Sequence, residues 1–236
     1  MIGDPLVFLV SSIFLIPAAL LAIPVHELGH GYAALAEGDP TPRNRGFLRP
    51  DPRLYIEPYG LLAVFLANVG WGAPAPINEY RLRGLWGKIA YALAGPVANL
   101  VLAAIAGLAL RQTLAAGGLF RVDTIIQSPL GYASFILYAI FFLNLSMFAF
   151  NLLPIPGLDG WRVLEALFMR RNPRFFFNAN TRRREIWMVC VLVVFLGSFL
   201  ARVSILGIVM APFFQPFSTL IFGTCIGYPA LSPCLR

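Results

Sequence analysis

Long uncharged stretches alternate with short arginine-rich ones along this chain, and the alternation predicts its elements. Pro5–Val25 runs 21 residues without a charge, and its helical pattern continues to about Ala36. Ile89–Leu110 is a second such run, of 22 residues; at 1.5 Å per residue it matches a hydrocarbon core of about 30 Å. Thr124–Leu158 is uncharged for 35 residues, of which 131–152 reads as the span. Ile186–Ala201 is short at 16 residues, and Val203–Leu220 is expected to pair with it as a hairpin turning near Arg202. The expected fold class is an all-α polytopic membrane protein with about five transmembrane helices.

One uncharged stretch does not fit a span. Pro58–Asn78 contains Gly60, Gly70, Gly72, Pro74 and Pro76, and a spanning helix there would lose too many backbone hydrogen bonds. It is expected to be a membrane-embedded irregular or strand-like segment. A surface loop with an apolar stretch is the alternative, since short apolar runs are ambiguous.

The charges set an orientation. Arg43, Arg45, Arg49 and Arg53 lie in loop 37–60, and Arg81, Arg83 and Lys88 follow the irregular piece. Loop 170–185 carries Arg170, Arg171, Arg174, Arg182, Arg183 and Arg184, whereas loop 111–130 has only Arg111 and Arg121, with Asp123. Placing the rich loops in the cytoplasm puts the N-terminus outside and lets every span alternate.

Composition points the same way. Hydrophobic residues make up 58% of the 236 and charged residues 12%, against roughly 45–50% and about 25% in soluble domains, so the solvent is the lipid bilayer. The net charge of +7 is distributed in loops between apolar runs, which reads as a membrane topology signal and not as a nucleic-acid partner. Cys190, Cys225 and Cys234 form no CxxC pair and suggest neither a disulfide framework nor a thiolate metal site. The first apolar stretch lacks a basic leader region and carries the most informative residues, so it is expected to be retained. No internal repeat is visible. The whole chain, 1–236, reads as a single membrane domain.

Chemistry enters at His26-Glu27-Leu28-Gly29-His30, an HExxH match. Residues four apart share a helix face, so both imidazoles reach one metal ion. Glu27 follows His26 and has the reach to serve as general base toward a metal-activated water, whose pKa zinc lowers to about 7. A chance match with core or solvated histidines is the bland reading. It weakens because the chain has only two histidines, both in this motif, at the end of an uncharged run, where ionisable groups are costly and functional by default. Pro24 is expected to kink the helix just before these residues. Gly29 is expected to admit another backbone closely, from a neighbouring helix or a substrate.

Catalytic zinc sites usually offer three protein ligands and an open position. No third histidine exists, so a carboxylate is expected, and most of the 11 acids sit in arginine-rich loops. Asp159 follows the long uncharged run and precedes the amphipathic pattern Trp161, Leu164, Leu167, Phe168. A helix N-cap would suit it equally well. Depth favours the ligand. Leu28 lies roughly 13 Å of helix from the charged loop at Glu37, and Asp159 roughly 16 Å from Arg170, both from the cytoplasmic side. Arg162 and Glu165 suggest that this second segment is partly wet.

Together these residues resemble the site-2 protease family of intramembrane zinc metalloproteases. The resemblance covers HELGH at 26–30, Gly70-Trp71-Gly72-Ala73-Pro74-Ala75-Pro76-Ile77-Asn78, Ala94-Gly95-Pro96-Val97-Ala98-Asn99, and Asn151 through Gly160. It implies one Zn2+ ion bound by His26, His30 and Asp159, with Glu27 as catalytic base. It also implies a place for Asn151 near the active site, orienting the water or the developing oxyanion; a helix C-cap or interhelical bond is the alternative. The irregular segment resembles the family's embedded strand region, which adds an unwound substrate as a further strand. Asn99 and Gly95 read as helix-packing residues.

The implied function is hydrolysis of peptide bonds in the transmembrane segment of another protein, as in regulated intramembrane proteolysis. The metalloprotease core is expected over 6–170, and the helical hairpin of 171–236 has no assigned role. A membrane metal transporter is a second reading, although neither repeated halves nor ligands in several spans are present. A catalytically idle membrane scaffold is a third.

Overall fold

The computed structural model of the protein describes residues 5–49, 51–67, 69–116, 128–201 and 205–222. Among these residues the elements are helices throughout: α1 (Pro5–Ala36), α2 (Thr41–Asn44), α3 (Pro58–Ala67), α4 (Gly84–Ala115), α5 (Pro129–Asn151), α6 (Asp159–Phe168), α7 (Pro173–Thr181), α8 (Arg183–Ala201) and α9 (Ile205–Phe222), with short 3₁₀ turns at 52–54 and 79–81. The expected turn at Arg202, together with Arg121, Asp123, Cys225 and Cys234, lies outside the described residues.

Helix α5 is the hub. Every residue from Phe141 to Asn151 is buried, as a helix that is apolar on all sides requires. Its Phe141, Phe142 and Leu145 pack with Ala103 and Ala106 of α4 and with Met210, Phe214 and Ile221 of α9. On its other side, Ala139, Leu143 and Met147 pack with Phe14, Ala18, Ala22 and Ile23 of α1. Helix α4 divides its faces cleanly. Gly95, Asn99, Ala103, Ala106 and Leu110 are buried, whereas Val97, Val101, Ile105 and Leu108 are exposed, which is the face a lipid tail would cover. Helix α1 continues through Pro17 and Pro24 without a break. The close approach expected at Gly29 is to α4: a Cβ there would lie 2.7 Å from the Ala94 carbonyl oxygen.

The all-α polytopic class holds. Four helices among the described residues, within Ser12–Ala36, Gly84–Ala115, Pro129–Asn151 and Ile205–Phe222, are long and apolar enough to cross a membrane. The expected span at Ile186–Ala201 does form a helix, α8, but Arg183, Arg184 and Glu185 occupy its first turn. The apolar remainder, at 1.5 Å per residue, reaches only about 24 Å.

The segment 58–78, expected to be irregular or strand-like as a whole, is helical over Pro58–Ala67 and extended only beyond it. The apolar run Leu61–Leu66 holds no glycine or proline, and these breakers concentrate at 70–76. Gly60 is compatible with the helix because it makes room for the returning chain, where a Cβ would collide with the Trp71 carbonyl oxygen. The extended part makes a single antiparallel bridge, Ile56 with Gly72, and the Ala73 N–H donates to the Tyr55 carbonyl at 2.8 Å.

Asp39 fastens the end of this extended stretch to the end of α1. It is buried, and its carboxylate accepts from the Asn78 N–H at 2.6 Å and from the N–H and hydroxyl of Thr41 at 3.1 and 2.5 Å. Burial alone would push the Asp39 carboxyl up, but these donors and the charge of Arg81 hold it below the usual carboxylate range. A depressed folded-state pKa contributes stability above the unfolded value, about 3.9, and loses it as the pH falls through the folded value. Asp39→Asn is therefore expected to melt roughly 3–8 °C below wild type at neutral pH, by thermal unfolding in detergent. The gap should shrink below about pH 4, as the wild-type carboxylate is protonated.

Candidate metal centre

The helical spacing of His26 and His30 brings their Nε2 atoms to 3.2 Å from each other on one face of α1. Asp159, 129 residues on from His30, places Oδ2 at 3.2 Å from both Nε2 atoms. All three residues are buried. Among the described residues they are the one group of His, Cys, Asp or Glu side chains whose ligand atoms converge, within 4.8 Å of one another.

Asp159 reaches this point from the turn that follows α5, as the first residue of α6. The N-cap alternative is not what the structure holds. Leu158 occupies the cap position, with no side-chain cap bond, and the Asp159 carboxylate is turned toward the histidines. Arg162, one helical turn on, keeps Nη1 at 4.0 Å from Asp159 Oδ1 and donates to the Tyr91 hydroxyl at 2.9 Å.

The outer ring nitrogens decide whether a metal fits. His26 Nδ1 lies 2.6 Å from Asn99 Oδ1, and His30 Nδ1 lies 2.8 Å from the Tyr91 carbonyl oxygen. Both partners are acceptors, so both imidazoles carry a proton on Nδ1; as neutral rings they then present a bare Nε2 inward. Two nitrogen lone pairs and a carboxylate oxygen then face one another with no hydrogen between them. Such a cluster is repulsive in a low-dielectric interior unless a cation sits among the three. A set of two imidazole nitrogens and one carboxylate oxygen, with its outer nitrogens already bonded, suits zinc.

Glu27 is buried beside this cluster, and its Oε2 accepts the Ala75 N–H at 3.1 Å. The extended stretch thus touches the site through its backbone. Asn151 is the last residue of α5 and is buried. Its Nδ2 donates to the Met147 carbonyl at 2.9 Å, within its own helix.

The sequence marks Asn99 and Gly95 only as packing residues, yet Asn99 bonds His26. Gly95 leaves the space that the His30 ring fills, and a Cβ there would collide with Nε2. The Tyr91 carbonyl carries no signal in its side chain. A signal for Asn99 did exist: an amide in the middle of an apolar span is costly in lipid and calls for a reason.

The comparisons with known proteins agree with this geometry. A family model, Peptidase family M50, matches residues 14–197. The Bacillus subtilis (strain 168) protein named "Putative zinc metalloprotease YwhC" is 35% identical over 160 residues, covering 65% of this chain and 68% of the relative. The Mycobacterium tuberculosis (strain ATCC 25618 / H37Rv) protein named "Putative zinc metalloprotease Rip2" is 30% identical over 201 residues, covering 82% of this chain and 71% of the relative. Its namesake in Mycolicibacterium smegmatis (strain ATCC 700084 / mc(2)155) is 33% identical over 168 residues, covering 68% of this chain and 60% of the relative. No solved structure matches the chain. A family match that takes in HELGH, Asn99 and Asp159, on a multi-pass helical scaffold, means that this chain belongs to peptidase family M50, the site-2 protease family of membrane metalloproteases.

Proposed function

We propose that the chain is an intramembrane zinc metalloendopeptidase that hydrolyses peptide bonds in transmembrane segments of membrane-anchored proteins. The observation that carries this reading is the convergence of His26 Nε2, His30 Nε2 and Asp159 Oδ2, two of them at 3.2 Å from the third. These residues would hold one zinc ion, which supplies Lewis acidity toward water and toward a peptide carbonyl.

The protein's own groups do the rest. Glu27 has one carboxylate oxygen fixed by Ala75, so Oε1 is the atom that takes the proton from the attacking water and returns it to the leaving amine. Asn151 spends one amide hydrogen on Met147 and keeps a second for the oxyanion that develops on the scissile carbonyl. The extended stretch at 70–76 offers backbone groups beside Glu27 to a substrate that has unwound into a strand. Unwinding is necessary because a helix keeps its carbonyls bonded and shielded.

The connectivity supports an orientation. α1 ends at Ala36 and α4 begins at Gly84, so the arginine-rich loop between them lies on one side. α4 and α5 cross and return, which brings 170–185 to the same side. We assign that side to the cytoplasm and the N-terminus to the outside, with the active site in the membrane toward the cytoplasmic face. Residues 6–170 form the proteolytic core in this reading.

Three substitutions test it on purified protein, by metal analysis and by cleavage of a membrane-embedded substrate. Glu27→Gln should retain about one zinc per chain and lose about 10²–10⁴-fold in turnover. Asp159→Ala should lose both zinc and activity. Loss of zinc in Glu27→Gln, or full cleavage by it, would contradict the assignment. Metal transport that survives Glu27→Gln, with no cleavage by wild type, would favour a transporter instead. Separately, Gly95→Ala should displace the His30 ring and speed zinc loss to a chelator by about tenfold or more.

A further inference from the structure

We infer that Asn99 is a positioning residue for His26, and that Asn144 holds Asn99 in the orientation this requires. The three side chains form one chain of hydrogen bonds across three helices, α1, α4 and α5. His26 Nδ1 donates to Asn99 Oδ1 at 2.6 Å. Asn99 Nδ2 donates to Asn144 Oδ1 at 2.7 Å and to the Ala22 carbonyl at 3.0 Å. Asn144 Nδ2 donates to the Ile140 carbonyl at 2.8 Å. Both asparagines have no solvent exposure.

Direction follows from counting donors. An amide nitrogen has two hydrogens, and Asn99 spends both on oxygens. Turning its amide over would set Oδ1 against two acceptors, at a cost that burial raises. Oδ1 therefore faces His26, and His26 must carry its proton on Nδ1. That leaves the Nε2 lone pair pointing at the Asp159 carboxylate and the metal position. Asn144 completes the logic, because its own amide is fixed by Ile140 and so presents Oδ1, not Nδ2, to Asn99.

His30 is held differently. Its Nδ1 partner is the Tyr91 carbonyl, which no side-chain substitution removes. Of the two histidine orientations, only that of His26 depends on replaceable side chains. One of those, Asn144, belongs to α5, the helix whose continuation delivers Asp159.

The metal readout of this inference rests on the zinc reading above, and the tautomer readout does not. The full chain contains two histidines, so ¹⁵N-histidine labelling gives four ring nitrogens, assigned through His30→Gln. Metal-free protein in detergent at about pH 8, above the ordinary histidine range, should show His26 protonated on Nδ1. Asn99→Leu should convert His26 to a mixture of tautomers and speed zinc loss to a chelator about 10–100-fold. Asn99→Asp keeps an acceptor for Nδ1 and should hold the His26 tautomer; its second oxygen, set against the Ala22 and Asn144 oxygens, costs stability, but its zinc loss should stay well below that of Asn99→Leu. Asn144→Leu, which leaves only the Ala22 carbonyl to hold the Asn99 amide, should also shift the His26 tautomers toward a mixture, and it decides the matter if Asn99→Leu does not fold. A His26 that keeps Nδ1 protonated in both leucine variants overturns the inference. So does equal zinc loss in Asn99→Leu and Asn99→Asp, which would mark a packing role. Wild type that binds no zinc would sink the zinc reading alone, while the tautomer comparison still tests the relay.

Discussion

Two imidazole nitrogens and a carboxylate oxygen, aimed at one buried point, are the constraint around which this molecule is built. Left to themselves these atoms repel, and the low dielectric around them magnifies the repulsion. A cation makes the same arrangement favourable. The surrounding bonds all work to keep the three atoms in this otherwise unfavourable alignment: Asn99 and Tyr91 occupy the outer ring nitrogens, the turn after α5 brings in Asp159, and Ala75 fixes one oxygen of Glu27.

The apolar bundle makes that alignment rigid. From Phe141 to Asn151 helix α5 is buried on every side, so the residues it carries toward the site, Asn144 in mid-helix and Asp159 beyond its end, have little freedom to retreat. Helix α4 divides its duties between a lipid-facing row of branched side chains and a buried row of small or polar ones. Glycine at 29 and 95 lets α1 and α4 approach until a histidine ring fills the space that remains. Packing and site geometry are thus one problem here: the helix contacts that stabilise the bundle also set how His26, His30 and Asp159 converge.

Much of this was legible in the sequence, for a physical reason. Lipid penalises charge, so the few ionisable residues at the ends of uncharged runs, His26, Glu27, His30 and Asp159 among them, stand out in the sequence. The main spans were legible from the same penalty. Less legible was the segment 58–78, because periodicity does not separate a short buried helix from a strand; its glycines and prolines marked the extended part but not the helix before it. Asn99 looked like the amide of any packed membrane helix, and only its position opposite His26 distinguishes it. The Tyr91 carbonyl has no side-chain signature at all.

The most direct test of the central claim is zinc K-edge X-ray absorption on the purified wild-type protein. Zinc held by His26, His30 and Asp159 should show nearest neighbours of nitrogen and oxygen at about 2.0–2.2 Å, with scattering from two imidazole rings and no sulfur. Sulfur at about 2.3 Å, or a zinc shell without imidazole scattering, would contradict that claim.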